Sequence, residues 1–323
     1  MRKLLPLLLC CLLLAGCTRD PLEPMVTATN EASLPAPAVA GLPMRESRAT
    51  LWFRYGEEPL LAAETRELST ARTESYAFSL MSALLNGPSA ASTELEGLFP
   101  SGTRVISIHQ SGRLMFVTLS RHIMNGFPDE PGSWRDQADW AIEVPLRREL
   151  AMQSIAATLT ENCDVDQVII LVEQTDAATD SLRLRQGYYT LDGSASLAEP
   201  LQRDERLLLA PARTAEVILQ CWRESDWTRL YRYIAHHDPA TGDPRPEESA
   251  FVQQMTVLPH LLRAETQGGN VSEDGRSAVF TVNGAWLENS TESPFSGMVL
   301  RLIREDGVWR MGLSQLIGRE ALQ

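Results

Sequence analysis

The sequence contains few features that would place the chain across a membrane or on nucleic acid. After Leu14 it has no apolar run of the about 20 residues that a bilayer-spanning helix needs. Acidic side chains outnumber basic ones by 42 to 29, and the formal net charge is −13. Because nucleic acid and anionic lipid headgroups repel an acidic surface, the composition disfavours both as partners.

Cysteine is also scarce, with five residues in the chain. Three of them lie within the first 17 residues, so only Cys163 and Cys221 remain for the rest of the protein. An exported protein could join these two in a disulfide. Since the sequence pattern places them in different domains, we expect two separate buried thiols.

The common catalytic motifs are missing as well. We find no glycine-rich loop of the kind that binds phosphate, no metalloprotease helix and no nucleophile elbow. The sequence therefore predicts no catalytic residue, no metal ligand, no cofactor and no enzyme activity.

The N-terminus has the order of residues that is typical of an export signal. Arg2 and Lys3 precede the apolar run 4–14, which is too short to span a bilayer as a mature helix. The tetrad 14–17, Leu-Ala-Gly-Cys, resembles the lipobox of bacterial lipoprotein signal peptides. The alternative is a plain secretory signal, which would need no cysteine directly after its cleavage site.

The lipobox resemblance implies that residues 1–16 form a lipoprotein signal peptide and that Cys17 carries a diacylglyceryl group. Acyl chains on one residue would anchor the protein to a membrane outside the cytoplasm. Residues 17–48 contain several prolines and no apolar period, and they are predicted to be a disordered tether.

Residues 49–175 show the succession of strand and helix patterns that is typical of a layered α/β domain. A strand is predicted at 49–55 with a hairpin partner at 64–68. The next element is a helix that is capped by Thr73 and stopped by Asn86-Gly87-Pro88. Then follow a hairpin with strands at 104–110 and 113–119, a helix from Pro145 to Asn162 and a buried strand at 168–172.

The second half of the sequence changes character. Residues 176–209 are predicted to be a connector with a small hairpin near Tyr188-Tyr189. In residues 210–323 helical patterns precede strand patterns, which predicts an α+β domain with an antiparallel sheet. Ser225 or Asp226 is expected to cap the second helix. Strands are expected at 262–266, 277–286, 297–304 and 308–316.

Several stretches of the first domain resemble the GerMN domain family of sporulation and spore germination lipoproteins. These stretches occur in the order that the family has, at residues 83–88, 99–103, 116–120, 155–159 and 168–172. Thr118 departs from the acidic residue that is usual at its position. The resemblance covers residues 49–175 and implies a βαββαβ fold similar to the ring-building modules of secretion and sporulation complexes. It also implies assembly rather than catalysis, with envelope proteins contacting a sheet face or edge of this domain.

The second domain resembles the cone-shaped fold of ketosteroid isomerase and nuclear transport factor relatives, chiefly in the closing hairpin 302–311. This resemblance implies a binding module, and an isomerase or hydrolase is the less favoured alternative. Such an enzyme would need a carboxylate base facing a pocket, for which Asp226 and Glu224 are candidates. The neighbouring aromatic residues would line the pocket or pack in the core, and they are Trp222, Trp227, Tyr231 and Tyr233.

Two further clusters attract attention. His236-His237-Asp238 could supply metal ligands, but adjacent residues point apart, and we expect a solvated loop. The acidic aromatic loop before the second helix is predicted either to contact a protein or to pack on its own domain. It contains Asp129, Glu130, Trp134, Asp136, Asp139 and Trp140.

The sequence as a whole predicts a two-domain α/β (α+β) protein that is lipid-anchored in the bacterial cell envelope. We expect it to act as a non-catalytic scaffold or protein-interaction module in sporulation or germination, without nucleic acid. The alternative is a ligand-binding sensor that uses the cone-like domain.

Overall fold

The computed structural model describes residues 44–71, 73–174, 181–190, 195–288 and 291–317. Cys17, the expected signal peptide and most of the expected tether lie outside these residues. Within the described part, no helix is both long and apolar enough to cross a membrane. The described residues from Met44 onward form one compact unit.

The first sheet has three strands in the order β2-β1-β3. They are β1 (Met44–Tyr55), β2 (Leu61–Ala71) and β3 (Leu95–Glu96). Strand β1 begins at Met44, inside the segment 17–48 that was expected to be disordered. The reason is its long antiparallel ladder with β2, which starts at the pair Met44 and Ala71. Backbone pairing thus orders polar residues that carry no apolar pattern.

Helix α1 (Tyr76–Leu85) follows this hairpin. Its cap is Ser75 and not the predicted Thr73, because the Ser75 hydroxyl accepts a hydrogen bond from the Phe78 amide at 3.2 Å. The helix stops at Asn86 and Gly87, as predicted, and Gly87 has a φ of +86°.

The second sheet has the order β4-β5-β6-β7. Its strands are β4 (Val105–Ser111), β5 (Leu114–Leu119), β6 (Gln167–Glu173) and β7 (Ser181–Arg183). β5 and β6 run parallel and the other pairs are antiparallel. The hairpin around residues 111–112 is confirmed. β7 and helix α3 (Gln186–Thr190) lie in the predicted connector, so Tyr188 is helical and not part of a hairpin.

Helix α2 (Ala138–Asn162) connects β5 to β6 and begins before the predicted start at Pro145. One face of this helix binds the backbone edge of β1. The hydroxyl of Thr158 accepts from the Trp52 amide at 3.1 Å, and the hydroxyl of Ser154 donates to the Trp52 carbonyl at 2.6 Å. These contacts satisfy backbone groups that no strand partner covers.

In the C-terminal part, three helices precede the strands, as predicted. The predicted last strand 308–316 is too long, because the strand ends at Met311 and a short helix occupies Ser314–Ile317. The helices are α4 (Pro211–Glu224), α5 (Trp227–Tyr231), α6 (Glu248–Met255) and α7 (Ser314–Ile317). The strands are β8 (His260–Val271), β9 (Ser277–Glu288), β10 (Thr291–Glu305) and β11 (Val308–Met311). They form an antiparallel sheet in the order β11-β10-β9-β8. With three sheets in the described residues, the predicted α+β fold class is confirmed.

Candidate functional site

A partly buried polar cluster, here called the junction, joins the first sheet to the C-terminal part. It consists of Tyr55, Glu58, Arg229, Arg232 and Arg310. At its margin the turn between β10 and β11 meets strand β2 directly. A Cβ on Gly307 would lie 1.7 Å from the Ala63 carbonyl oxygen, so only glycine allows this approach.

Arg310 is the centre of the junction and is fully buried. Its guanidinium donates to the Tyr55 hydroxyl at 3.2 Å, and it also binds the Arg232 carbonyl and the Glu94 carboxylate. Tyr55 in turn donates to the same Arg232 carbonyl at 2.6 Å. Burial raises the pKa of Tyr55 to about 12, against a lowering by Arg310. The cluster therefore keeps the tyrosine neutral and the arginine charged.

Glu58 and Arg229 make a second connection across the junction. Glu58 is 4% exposed and receives Arg229 Nη2 at 2.7 Å and Nε at 2.9 Å, a two-pronged pair. The hydrogen bonds that Arg229 donates to Glu58 raise the pKa of Arg229. Tyr233 lies edge-on to Tyr55 with ring centres 5.6 Å apart. These contacts fix how the C-terminal part sits on the first sheet.

The second sheet has one face in the hydrophobic core and one face outside that core. Alternate side chains of β5 and β6 enter the hydrophobic core, and they are Met115, Val117, Leu119, Val168, Ile170 and Val172. The opposite face, here called the outer face, carries the buried Ile169 together with His109, Leu114, Phe116 and Leu171. The last three are half-buried and do not belong to the core that the described residues form.

The outer face ends at an edge strand. In the sheet order β4 is terminal, and its residues from His109 to Ser111 are exposed. His109 is paired in register with Phe116, with ring centres 6.4 Å apart. An edge strand presents unpaired backbone groups, and an aromatic beside it adds an apolar contact. The outer face and the β4 edge are thus a surface suited to a protein partner.

The cone-like region places its predicted aromatic residues mainly in the core. Trp222 and Tyr233 are buried, and Trp222 continues into a stack with Trp286 and Phe295. Trp227 and Tyr231 are half-buried and pack on the same core. The alternative of core packing is therefore correct for Trp222 and Tyr233.

The predicted carboxylate bases do not face into the cone. Glu224 and Asp226 are both exposed. Asp226 caps helix α5 by accepting from the Arg229 amide at 3.1 Å, and Glu224 accepts from Gln220 at 3.0 Å. Asp226 is thus a helix cap, and neither residue is placed as a general base.

The expectation of a solvated loop at His236-His237-Asp238 is wrong for Asp238, which is 6% exposed. Its carboxylate accepts from the Ser314 amide at 2.6 Å and from the Ala240 amide at 2.8 Å. Burial alone would raise the pKa of Asp238, but these hydrogen bonds lower it overall. Among the described residues, no group of three potential ligands is placed to hold a metal ion.

The acidic aromatic loop is held by arginines of its own domain. Trp134 is buried, and Arg147 lies 5.3 Å from the ring centre of Trp140. Arg147 also donates to Asp129 at 2.7 Å. This geometry favours packing over a free contact loop. Cys163 and Cys221 are both free, as predicted, but only Cys221 is buried, whereas Cys163 is half-buried.

The fold and its open sheet define a mixed α+β protein whose first part has the strand and helix order expected of a GerMN domain. Residues 52–177 match the family described as Germane: Sporulation and spore germination. This match confirms the predicted resemblance of the first part of the chain to the GerMN domain family. No curated protein matches the chain.

Among solved structures, the tandem GerMN domains of GerM from Bacillus subtilis match with 15% identity and a TM-score of 0.31. That match covers 49% of this chain and 45% of the GerM chain, so the chain spans less than half of that relative. A putative lipoprotein from Clostridium perfringens has 16% identity and a TM-score of 0.28, over 50% of this chain and 88% of its own. A putative polyketide cyclase from Xanthomonas campestris has 18% identity and a TM-score of 0.19, over 32% and 90%.

Sequence reasoning missed the junction. Arg310 falls within the closing hairpin that suggested the cone-like fold, yet nothing in its neighbours marks it as buried. Glu58 lies in an ordinary turn between β1 and β2. Their partners are far along the chain, and no local pattern could have found them.

Proposed function

We propose that the chain is a lipid-anchored protein of the bacterial cell envelope that acts by binding another envelope protein, without catalysis, in sporulation or spore germination. The observation that carries the proposal is the family match of residues 52–177. The lipobox-like tetrad ending at Cys17 supports the anchor. Export to the envelope would bring the domain to the compartment where such partners are found.

The outer face and the β4 edge are the proposed contact surface. Phe116 is half-buried at the middle of this face, beside the exposed His109. Aromatic side chains supply much of the binding energy in protein interfaces. A partner strand could also pair with β4, which would satisfy its open backbone groups.

The junction supports this role by making the C-terminal part a rigid body with the first sheet. A module that presents a surface to a partner loses less entropy on binding when it is already ordered. The C-terminal sheet would then be part of the same ordered module, and its role would not require a bound ligand.

The test uses a photoreactive benzoylphenylalanine at Phe116 in living cells, with Val257 as the matched control position. Val257 is 70% exposed and lies in the C-terminal part. We expect Phe116 to crosslink a defined set of envelope proteins in sporulating cells, and Val257 to give none of them. The same adducts should disappear in the Cys17→Ala chain, because the unanchored protein loses its place at the membrane.

Two outcomes would contradict the proposal. If Phe116 and Val257 give the same adducts, the outer face is not the contact surface. If no specific adduct forms in growing or sporulating cells, the protein does not act through this kind of assembly. Folding of each variant is checked by circular dichroism, so that a lost adduct is not mistaken for unfolding.

A further inference from the structure

A cavity of about 940 Å³ opens beside helix α2, strand β7 and the short turns at 121–124 and 134–136. Its lining contains five arginines, namely Arg121, Arg135, Arg148, Arg183 and Arg185. Among the described residues of this lining, Glu173 is the only one with an acidic side chain. A strongly basic lining is unexpected in a chain whose formal net charge is −13. We call this cavity the arginine pocket.

Four of the five arginines have no acidic partner among the described residues. No described carboxylate lies within 4 Å of the guanidinium nitrogens of Arg135, Arg148, Arg183 or Arg185. Arg148 lies 4.9 Å from the ring centre of Tyr188, and Arg135 lies 4.2 Å from that of Trp134. Contact with a ring face leaves the N–H groups at the edge of a guanidinium available to an acceptor.

A second cavity has a similar volume, but its arginines form ion pairs with described carboxylates. It measures about 980 Å³ and is lined by Arg113 and Arg203. Arg113 binds Asp164 and Asp166 there, and Arg203 binds Glu161 and Glu205. Elsewhere in the described chain, then, arginines at a cavity are neutralised by their own neighbours.

The arginine pocket also has an apolar side. Met124 and Leu182 line it with 48% and 55% of their surfaces exposed. A volume of 940 Å³ is far more than one phosphate group fills and lies in the range of pockets for larger ligands. The lining thus suits anionic groups that are attached to an apolar or extended body.

We propose that the arginine pocket binds a ligand that bears phosphate groups. Guanidinium groups match phosphate oxygens with two parallel hydrogen bonds, and several unpaired cations call for a ligand with more than one negative charge. The phosphate could belong to a soluble molecule or to a lipid headgroup. Because the expected anchor at Cys17 would hold the chain at a membrane, both sources are within reach of the pocket.

The test titrates the full chain in nonionic detergent with inorganic pyrophosphate, by calorimetry. The variant is Arg183→Gln with Arg185→Gln, since neither side chain makes an ion pair with a described residue. The matched control is Arg113→Gln with Arg206→Gln, which removes the same charge from arginines that are exposed and paired. We expect pyrophosphate to bind the unaltered chain and the control variant with the same affinity. Its affinity for the pocket variant should be lower by a factor of roughly ten or more.

A second arm distinguishes the two sources of phosphate. Mixed micelles that carry phosphatidylglycerol are compared with micelles that carry phosphatidylcholine, and pyrophosphate is added as a competitor. Binding of phosphatidylglycerol micelles that pyrophosphate displaces assigns the pocket to a lipid headgroup. Binding of pyrophosphate alone assigns it to a soluble ligand.

The proposal is overturned if neither probe binds the unaltered chain. It is also overturned if the control variant loses as much affinity as the pocket variant, because the effect would then come from overall charge. Arg148→Gln is a third variant that leaves β7 intact. If pyrophosphate binds it as tightly as it binds the unaltered chain, the cavity is not where the phosphate lies.

Discussion

The junction and the arginine pocket use the same side chain in opposite ways. At the junction, Arg229 and Arg310 reach the carboxylates of Glu58 and Glu94. In the arginine pocket, Arg183 and Arg185 reach no described carboxylate. An arginine that is paired with a carboxylate at a buried junction holds parts of a fold together. Neighbouring arginines without a described counter-charge repel one another and favour the binding of an anion. The comparison separates residues that build this protein from residues that are free to bind.

The largest loss of stability is expected from a substitution at the tightest contact of the junction. Gly307→Ala places a methyl group against the Ala63 carbonyl, at a backbone φ of +86°. We expect the free energy of unfolding in urea to fall by about 3 kcal/mol or more, through the clash and the strained backbone together.

Gly112→Ala is the matched control for Gly307→Ala. Gly112 has a φ of +60° with nothing within 4 Å of an added Cβ, so only the backbone strain remains. Its expected loss is about 1 kcal/mol. Equal losses for the two variants would mean that the turn at Gly307 does not press on β2.

A smaller effect is expected from weakening one ion pair. Glu58→Gln removes the charge that Arg229 faces while keeping the shape of the side chain. We expect a loss of about 2 kcal/mol in urea unfolding, because Glu58 is buried and its partner is left without a counter-charge. Glu292→Gln serves as the comparison, since the pair Arg263–Glu292 is exposed and contributes about 0.5 kcal/mol. A loss at Glu58 no larger than that at Glu292 would contradict the importance of the junction pair.

The junction also predicts an alkaline weakness. Burial raises the pKa of Tyr55 to about 12 from the ordinary tyrosine value of 10.0. Above pH 10 the unfolded chain therefore releases this proton before the folded chain does, and stability that is complete below pH 10 is lost as the pH rises towards 12. We expect the urea midpoint to decline over this range and Tyr55→Phe to decline less steeply. Parallel curves for the two proteins would show that Tyr55 is not the group responsible.

Sequence patterns predicted most of the features that depend on residues close together in the chain. The stop at Gly87, the hairpin at residues 111–112 and the cap at Asp226 each depend on neighbours within a few residues. The early start of β1 at Met44 could not be predicted, because its ladder partner Ala71 lies far along the chain and the paired residues are polar.

The sequence did not predict the arginine pocket, for a related reason. Its members run from Arg121 to Arg185 on turns, a helix and a strand, and they are scattered over 65 positions of the sequence without forming a basic run. The overall negative charge pointed away from any anionic partner. Only the fold brings the two turns, α2 and β7 to the lining of one cavity. The proposed outer face differs in part, because the family resemblance already implied a sheet face or edge, although it did not indicate that Phe116 lies there.

The division between structural and binding arginines is tested most directly by comparing two variants in urea unfolding under identical conditions. One is Arg310→Gln, and the other is Arg183→Gln with Arg185→Gln. We predict that the first loses about 3 kcal/mol of unfolding free energy, since it leaves buried partners unsatisfied. The second should keep its stability within about 0.5 kcal/mol, or gain slightly as repulsion is relieved. Similar losses in both variants would contradict the account, because the pocket arginines would then be holding the fold as the junction arginines do.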